Sequence, residues 1–432
     1  PLRFIYDEDM PEDLLRRVLG KLDLGDRDTV LKGGRYQNHK DLMRFPDFPD
    51  SALKYPPMRV IRRSSLEGPE SLLERIRVQD RFLHVPYHSF DSFIRVLHEA
   101  ATSRNVRSIK ITLYRLAKDS KVVRALIAAA RNGKKVTVVI ELLARFDEES
   151  NIQWSQKLED AGVKVIFGVE GLKVHSKVLH IGMKRGAHLA CISTGNFHEG
   201  NAKAYTDCII MTSSRRIVKE VEDVFEFIER PYAQIHFKEL LVSRNEMKSR
   251  FIALINNEIK NKRNGKPAYI RAKVNHITDP VMVDKLYDAA YAGVDIELSV
   301  RGNCSMVTDK LPENCHLRIN GIIDRYLEHS RIFIFAAGGE EKVFIGSADW
   351  MPRNLDNRIE VVAPVYDPTI KQEMKRIVDY ARRDVCQGRT VDGTGANTSW
   401  TCADPLETGS QYALYRYYQE LEEKERQYGN NS

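Results

Sequence analysis

From residue 82 onward, short apolar runs alternate with longer stretches of helical patterning. The first set predicts a helix over 91–101, a strand over 108–113, a helix over 120–131 closed at Gly133, and a strand over 136–141. A helix over 148–161, strands over 163–167, 178–181, 189–192 and 208–211, and a helix over 214–228 stopped by Pro231 complete it. The second set predicts a helix over 246–262, a turn at Asn264-Gly265, a strand over 268–274 and a helix opened by Asp279-Pro280. Strands over 295–300, 316–319, 331–335, 342–345 and 358–364 follow, then a helix opened by Asp367-Pro368. Asp before Pro is a strong helix start, because the carboxylate caps free N–H groups and Pro has none to leave unpaired. Outside the two sets, 1–61 mixes Pro, Asp and Arg around a short helix at 11–19, 387–404 is polar and loop-like, and 411–428 reads as a terminal helix. The fold class is therefore α/β, with domains expected at 62–239 and 240–432 behind a partial helical and mixed segment at 1–61.

The two sets are copies. His175, in Gly171-Leu-Lys-Val-His-Ser-Lys177, lies 21 positions before Asn196, and His329, in Tyr326-Leu-Glu-His-Ser-Arg331, lies 20 before Asp349. An acidic residue within an apolar run follows 11 positions later in each copy, Asp207 in the first and Glu360 in the second. Upstream, Ala129-Ala-Arg-Asn-Gly133 precedes one strand as Ala289-Ala-Tyr-Ala-Gly293 precedes its counterpart. Four landmarks in the same order imply one half-site carried twice.

Composition narrows the chemistry. With 432 residues, 42% apolar and 29% charged, the chain is that of a globular protein with more than one core, and its longest apolar runs fall far short of a membrane span. It opens at Pro1 without a basic, apolar leader, which reads as a fragment or processed product without a secretory signal. Six cysteines without a C-x-x-C pair read as reduced, buried thiols in the cytoplasm. The formal charge is only +7, but Lys110, Arg115, Lys118, Arg145, Lys173, Lys177, Lys203, Arg301, Arg325 and Arg331 gather near the repeated motifs and favour an anionic substrate.

A histidine two residues before a cation, on the same side of a strand, suits phosphoryl transfer. The imidazole attacks phosphorus while the cation binds a non-bridging oxygen, and Lys177 would help keep His175 neutral. His180, His188 and His198 have no counterpart in the second copy and read as structural or solvent-facing. Arg115 and Arg145 lie where strands give way to loops, with Arg301 at the equivalent station in the second half, and guanidinium forks fit phosphate oxygens there. No G-x-x-x-x-G-K-[ST] loop is present, and Gly393-Thr-Gly395 lacks the rest of a dinucleotide fingerprint, so a nucleotide would be gripped by cationic side chains.

Nine ordered motifs then carry a resemblance. Val85-Pro-Tyr-His-Ser-Phe90, Thr112-Leu-Tyr-Arg115, Ala144-Arg-Phe-Asp-Glu148, Gly171 to Lys177, Ser193-Thr-Gly-Asn-Phe197, Tyr205-Thr-Asp207, Val300-Arg-Gly302, Asp324 to His329 and Ser347-Ala-Asp-Trp350 resemble the bacterial polyphosphate kinases of the first type, within the phospholipase D superfamily. The resemblance implies two phospholipase D-like α/β domains behind the end of a head domain. It implies transfer of the ATP terminal phosphate to inorganic polyphosphate through phosphorylated His175, with His329 as the second histidine. Tyr205, Arg301 and His329 match the family's ATP-binding positions, while Lys177 and Arg331, read from the residues themselves, are expected to stabilise charge on the equatorial oxygens together with Arg115 and Arg145. Arg115 and Arg145 match arginines tied to the family's magnesium (Mg²⁺) site. Arginine has no lone pair for a metal, so they are expected to hold the phosphates that magnesium bridges. ATP and polyphosphate are the implied partners, a homo-oligomer the implied assembly of the longer parent, and no nucleic acid is expected. Location in the cytoplasm is implied, with membrane association of the parent left open.

Two departures matter. Cys191 stands where many relatives carry a histidine. The acidic position of the superfamily's H-x-K-x-x-x-x-D pattern is Gly182 in the first copy and Ala336 in the second, leaving Glu360 or Asp207 to orient the histidines. A phosphodiesterase of the same superfamily and a non-catalytic polyanion-binding module are the alternative readings. The first predicts diester hydrolysis and indifference to ATP, the second salt-dependent binding without turnover. The missing front leaves open whether this stretch turns over ATP by itself.

Overall fold

The computed structural model describes residues 4–25, 30–34, 42, 46, 53–117, 119–141, 148–169, 171–244, 246–393, 398–399 and 409–429. Arg145, Lys118 and Cys402 lie outside them. The chain forms two units, 1–57 and 58–432. In the first, β1 (Phe4–Asp7) and β2 (Val30–Gly33) pair in parallel, with α1 (Glu12–Lys21) between them in sequence.

The second unit carries the duplication. Its first half runs α2 (Leu72–Val78), β3 (Arg81–Val85), α3 (Asp91–Thr102), β4 (Val106–Leu113), α4 (Lys121–Arg131), β5 (Lys135–Ile140), α5 (Glu148–Asp160) and β6 (Lys164–Phe167). It continues with β7 (Lys173–Val174), β8 (Val178–Met183), β9 (Leu189–Ser193), α6 (Asn201–Ala204), β10 (Tyr205–Thr212) and α7 (Arg215–Glu229). The second half begins β11 (Leu241–Val242), α8 (Met247–Arg263), β12 (Tyr269–Val274), α9 (Pro280–Tyr291), β13 (Asp295–Val300), β14 (Leu317–Ile322), β15 (Leu327–Glu328), β16 (Ile332–Phe335) and β17 (Lys342–Gly346). It ends with α10 (Pro352–Asp356), β18 (Arg358–Ile359), β19 (Val361–Val365), α11 (Pro368–Arg382), β20 (Gly388–Thr390) and a last helix, Ser410–Gly429.

The sheets repeat strand for strand. The first follows β6-β5-β4-β8-β9-β10 and the second β14-β13-β12-β16-β17-β19. In each path the first three strands are parallel and the remainder antiparallel. An antiparallel strand is added to the final one, β3 on β10 and β11 on β19.

Alternation along the strands assigns their faces. On β9, Leu189 and Cys191 enter the core beneath α3 and α4, while Ala190 and Ile192 face α7. On β16, Phe333 and Phe335 join the core under α8 and α9, while Ile332 and Ile334 join α11 and the last helix. The outer cores cross the halves: Ile359, Val361 and Ala363 join the α7 cluster, and Phe82, Cys208 and Ile210 join the α11 cluster. The two halves are thus locked face against face by shared apolar burial.

Several expectations change. The strand over 358–364 is broken at Glu360, because β18 leaves the sheet to pair with β7 of the other half. Apolar patterning cannot register that break. Helix α2 and strand β3 were not foreseen, and the loop-like stretch from 387 holds β20, which pairs with β14. Cys191, Cys208, Cys304 and Cys315 are free thiols, but Cys386 is disulfide-bonded, correcting the expectation of reduced cysteines throughout. Its pairing was not legible because no local spacing announces it. No helix among the described residues is long and apolar enough to cross a membrane.

Candidate active site

Each histidine is held by the opposite half. β7 leads into His175 and pairs in parallel with β18, so the N–H groups of His175 and Ser176 both donate to the Ile359 carbonyl, at 2.9 and 2.8 Å. Reciprocally, β15 leads into His329 and pairs with the start of β10, and His329 N–H donates to Thr206 Oγ1 at 3.1 Å. These crossings bring His175 Nδ1 to 2.9 Å from Glu360 Oε2, and His329 Nδ1 to 2.9 Å from both Asp207 oxygens.

The carboxylates are themselves placed by matching residues. Thr194 Oγ1 donates to Asp207 Oδ1 at 2.6 Å and accepts from Cys208 N–H at 3.0 Å. Its counterpart Ser347 accepts from Val361 N–H at 3.2 Å, while Asn354 Nδ2 donates to Glu360 Oε1 at 2.5 Å. Gly195 is required where it stands: a Cβ there would lie 1.8 Å from Asp207 Oδ2. The second half has Ala348 at this station, beside the longer Glu360. In the first copy the missing acidic residue of the superfamily pattern also has a steric reason, since a Cβ at Gly182 would come 2.3 Å from Ser108 Oγ.

Electrostatics makes both rings neutral. Burial lowers the His175 pKa to about 3, outweighing the attraction of Glu360, and Lys177 pushes the same way. Burial likewise lowers His329, with Asp207 opposing and Arg331 assisting. Although burial raises them, Glu360 and Asp207 end below the usual carboxylate range because the histidines and neighbouring hydrogen bonds favour their charged forms. A charged carboxylate only accepts, so Nδ1 of each neutral ring carries the proton and Nε2 keeps its lone pair.

The two cations differ. Lys177, only 2% exposed, donates to the His175 carbonyl, lies 5.5 Å from the centre of the Tyr114 ring, and is pushed down to about 7 by burial. Arg331 is clamped by Asp349 through two contacts of 3.2 Å and donates to the carbonyls of His329 and Thr194 at 2.8 and 3.1 Å. The first half has Asn196 where the second has Asp349, and Asn196 Oδ1 is buried without a partner.

Tyr205 tilts against the His329 ring with centroids 5.3 Å apart, as Tyr114 meets His175 edge-on at 5.1 Å. Arg301 Nε donates to Asn275 Oδ1 at 3.1 Å, and Asn275 Nδ2 donates to the His329 carbonyl at 3.3 Å. The strand-end equivalence expected for Arg301 is corrected by register. Leu113 pairs with Ile140 and Val274 with Val300, so Arg301 corresponds to Glu141 and Arg115 to His276. Residue type at a strand end carries no register information. Arg115 is half-buried just beyond β4, and Arg145 is outside the described residues. Cys191 faces the core, where burial raises its thiol pKa, away from the histidine face. Sequence reasoning missed the clamp on Arg331 and the roles of Thr194, Asn275, Tyr114 and Asn354; Asp349 was visible only as a landmark of the repeat.

Among the described residues no group of three or more His, Cys, Asp or Glu side chains is arranged to hold a metal. Asp207, Glu360 and Asp349 are committed to imidazoles and a guanidinium. This donor set does not fit a resident divalent cation.

The repeated sheets match two adjoining families. Residues 71–234 match Polyphosphate kinase C-terminal domain 1, and residues 240–411 match Polyphosphate kinase C-terminal domain 2. The chain belongs to the polyphosphate kinase family. Polyphosphate kinase of Vibrio parahaemolyticus is 42% identical over 429 residues, 99% of this chain and 62% of that protein. That of Escherichia coli strain K12 is 40% identical over 430 residues, 98% of this chain and again 62% of its own length. The crystal structure of polyphosphate kinase from Porphyromonas gingivalis matches with a TM-score of 0.87 at 38% identity, covering 98% of this chain and 65% of that one. At that similarity the two share the α/β architecture described above. Phosphatidylserine synthase from Haemophilus influenzae shares the fold at 11% identity, with a TM-score of 0.52 over 81% of this chain and 94% of that one. The chain spans 62% of the length of these two curated polyphosphate kinases.

Proposed function

We propose that this chain carries the phosphoryl-transfer centre of a polyphosphate kinase, which moves the terminal phosphate of ATP reversibly onto inorganic polyphosphate through phosphorylated His175. The observation that carries the reading is the pair of neutral imidazoles, each with Nδ1 on a carboxylate lent by the opposite half. His175 Nε2 donates its lone pair to the γ-phosphorus, the bond from that phosphorus to the bridging oxygen breaks, and ADP leaves with the electron pair. The Nδ1 proton stays on the ring, shared with Glu360, which stabilises the cationic phosphoimidazole. A terminal oxygen of polyphosphate then attacks the same phosphorus and restores the lone pair to Nε2. A P–N bond retains the transfer potential that an ordinary phosphoester would dissipate, so both directions stay open.

In this reading Lys177 and Arg331 balance charge on the transferring oxygens, with Arg331 also fixing the His329 loop. His329 takes or returns a proton at the incoming terminal phosphate. Tyr205, Arg301 and His329 receive the nucleotide, while Arg115 and Arg145 hold its phosphates, and magnesium enters only as a companion of those phosphates. Catalytic domains at 62–239 and 240–432, a homo-oligomer, and residence in the cytoplasm belong to the same proposal, to be checked by limited proteolysis, sedimentation and fractionation.

The test is labelling of the full-length protein with ATP radioactive at the γ-position. Acid-labile label on the wild type and none on His175→Ala are expected. Label persisting on His175→Ala would move the nucleophile elsewhere, and diester hydrolysis with no response to ATP would favour the phosphodiesterase alternative.

A further inference from the structure

A second cavity opens at the other end of the strand that follows His175. It has a volume of about 610 Å³ and is lined by His180, His188, Ser213, Arg215, Lys219 and Glu222, among others. His180 lies on β8, five residues beyond His175. At about 3.3 Å per strand residue this sets the two histidines roughly 16 Å apart along the chain. Its neighbours Leu179 and Ile181 point into the core beneath α3 and α4, so His180 points to the α7 face.

His180 is 1% exposed, yet neither of its ring nitrogens has a hydrogen-bond partner. Burial lowers its pKa to about 4, with Glu222 opposing and His188, Lys110 and Arg107 assisting, so the ring is neutral and must offer one donor and one acceptor. A polar group buried unmet is costly, because it has given up water without gaining a partner. The His188 ring lies with its centroid 5.5 Å away, at 55°.

The walls limit what could satisfy this ring. Glu222 is 3.7 Å from Lys110, and Lys219 donates to Asp223 at 2.5 Å, so both are already engaged. Arg215, exposed in the first turn of the fifteen-residue α7, forms no ion pair among the described residues, and the helix start beside it favours an anion. An inorganic phosphate near neutrality keeps a P–OH donor beside its acceptors, but it fills little of a cavity of about 610 Å³ and offers the two imidazoles no flat face. An apolar ligand would leave both His180 nitrogens unmet. A nucleobase carries donors and acceptors around its rim and a flat face for the imidazoles, and the cavity falls within the ~300–1,000 Å³ range of small-molecule sites.

We propose that this cavity is a second nucleotide site, taking a purine nucleoside monophosphate with its base against His180 and His188 and its phosphate at Arg215 and the start of α7. It stands apart from the phosphoryl-transfer centre and does not depend on that assignment. Because β8 joins the two, occupancy is positioned to influence His175.

The experiment is equilibrium dialysis of radiolabelled AMP against the wild type, Arg215→Glu, His180→Phe and the double variant His175→Ala/Arg301→Ala. One AMP bound per chain is expected in the wild type and in the double variant. Arg215→Glu, a surface change that leaves the core untouched, should weaken binding at least about tenfold, the effect of losing one charged contact. His180→Phe, once circular dichroism shows it folded, should do likewise, and inorganic phosphate at equal concentration should not displace AMP. No binding at about 1 mM, which would leave the cavity to water, overturns the proposal. So does binding that survives Arg215→Glu but is lost in the double variant, or displacement by phosphate as effective as by AMP itself.

Discussion

The His175 and His329 centres share a scaffold and differ in what surrounds the cation. In the second half, Asp349 clamps Arg331, and the guanidinium reaches across to the Thr194 carbonyl. In the first half, Asn196 stands in place of Asp349, and among the described residues Lys177 forms no ion pair: it donates to the His175 carbonyl beside the Tyr114 ring, with Glu360 acting on its charge from farther off. Both halves keep the imidazole–carboxylate pair, while an amide in one and a carboxylate in the other leave their cations differently held. A cation bound to a carboxylate chiefly holds structure; one left beside a neutral imidazole can answer charge that arrives with a ligand. This asymmetry favours His175 over His329 as the attacking group.

The comparison is broken most forcefully at Arg331. Replacing it by Met leaves Asp349 charged and buried without its partner, a loss of about 3–5 kcal/mol for buried pairs. Lys177→Met strands no ion-paired carboxylate and should cost clearly less. Urea unfolding of both variants checks this, and equal losses would mean that Lys177 is as structural as Arg331.

Much of this was legible in the sequence, for a specific reason. The spacing from His175 to Asn196 and Asp207, matched by that from His329 to Asp349 and Glu360, exposes the repeat because each landmark sits at a fixed station on a strand or its end. Alternation located the long strands, since their faces pack against helices. The crossing of carboxylates was not legible. It depends on β7 with β18 and on β15 with β10, pairs two residues long whose partners are more than a hundred positions apart. Nor could patterning show that Arg301 shares a station with Glu141, because that follows from register. His180 was set aside for want of a counterpart in the repeat, and only its unmet nitrogens distinguish it from a packed histidine.

The next sharpest contrast is steric. Gly195→Ala sets a methyl group into the Asp207 carboxylate and should displace the support of His329, whereas Ala348→Gly beside Glu360 opens space without moving that carboxylate. Misplacing a reacting group by about 1 Å can cost about 100-fold in rate. We expect a loss of that order in kcat for ATP turnover from the first change and less than about threefold from the second, with folding checked by circular dichroism. Equal, small effects would show that Asp207 does not govern the rate.

The effect that is smallest at neutral pH is also the most diagnostic of the unpaired cation. Burial brings Lys177 to about 7, whereas clamped Arg331 remains charged throughout the accessible range. If the ammonium form binds phosphate oxygens, kcat/KM for ATP should fall about tenfold per pH unit as pH rises above about 7, because the free protein loses that proton. Lys177→Arg should flatten this limb. The His175 pKa of about 3 keeps its lone pair available well below neutrality, so that ring does not generate the alkaline limb. Stability runs the other way. Between about 7 and 10.5 the unfolded chain binds the Lys177 proton more than the folded one does, so the folded state gains from this residue as pH rises and loses that gain as pH falls. Relative to Lys177→Met, the wild type should therefore become more resistant to urea between pH 7 and 10 while its activity declines. Activity and stability falling together over that range would remove Lys177 from the phosphate-binding role.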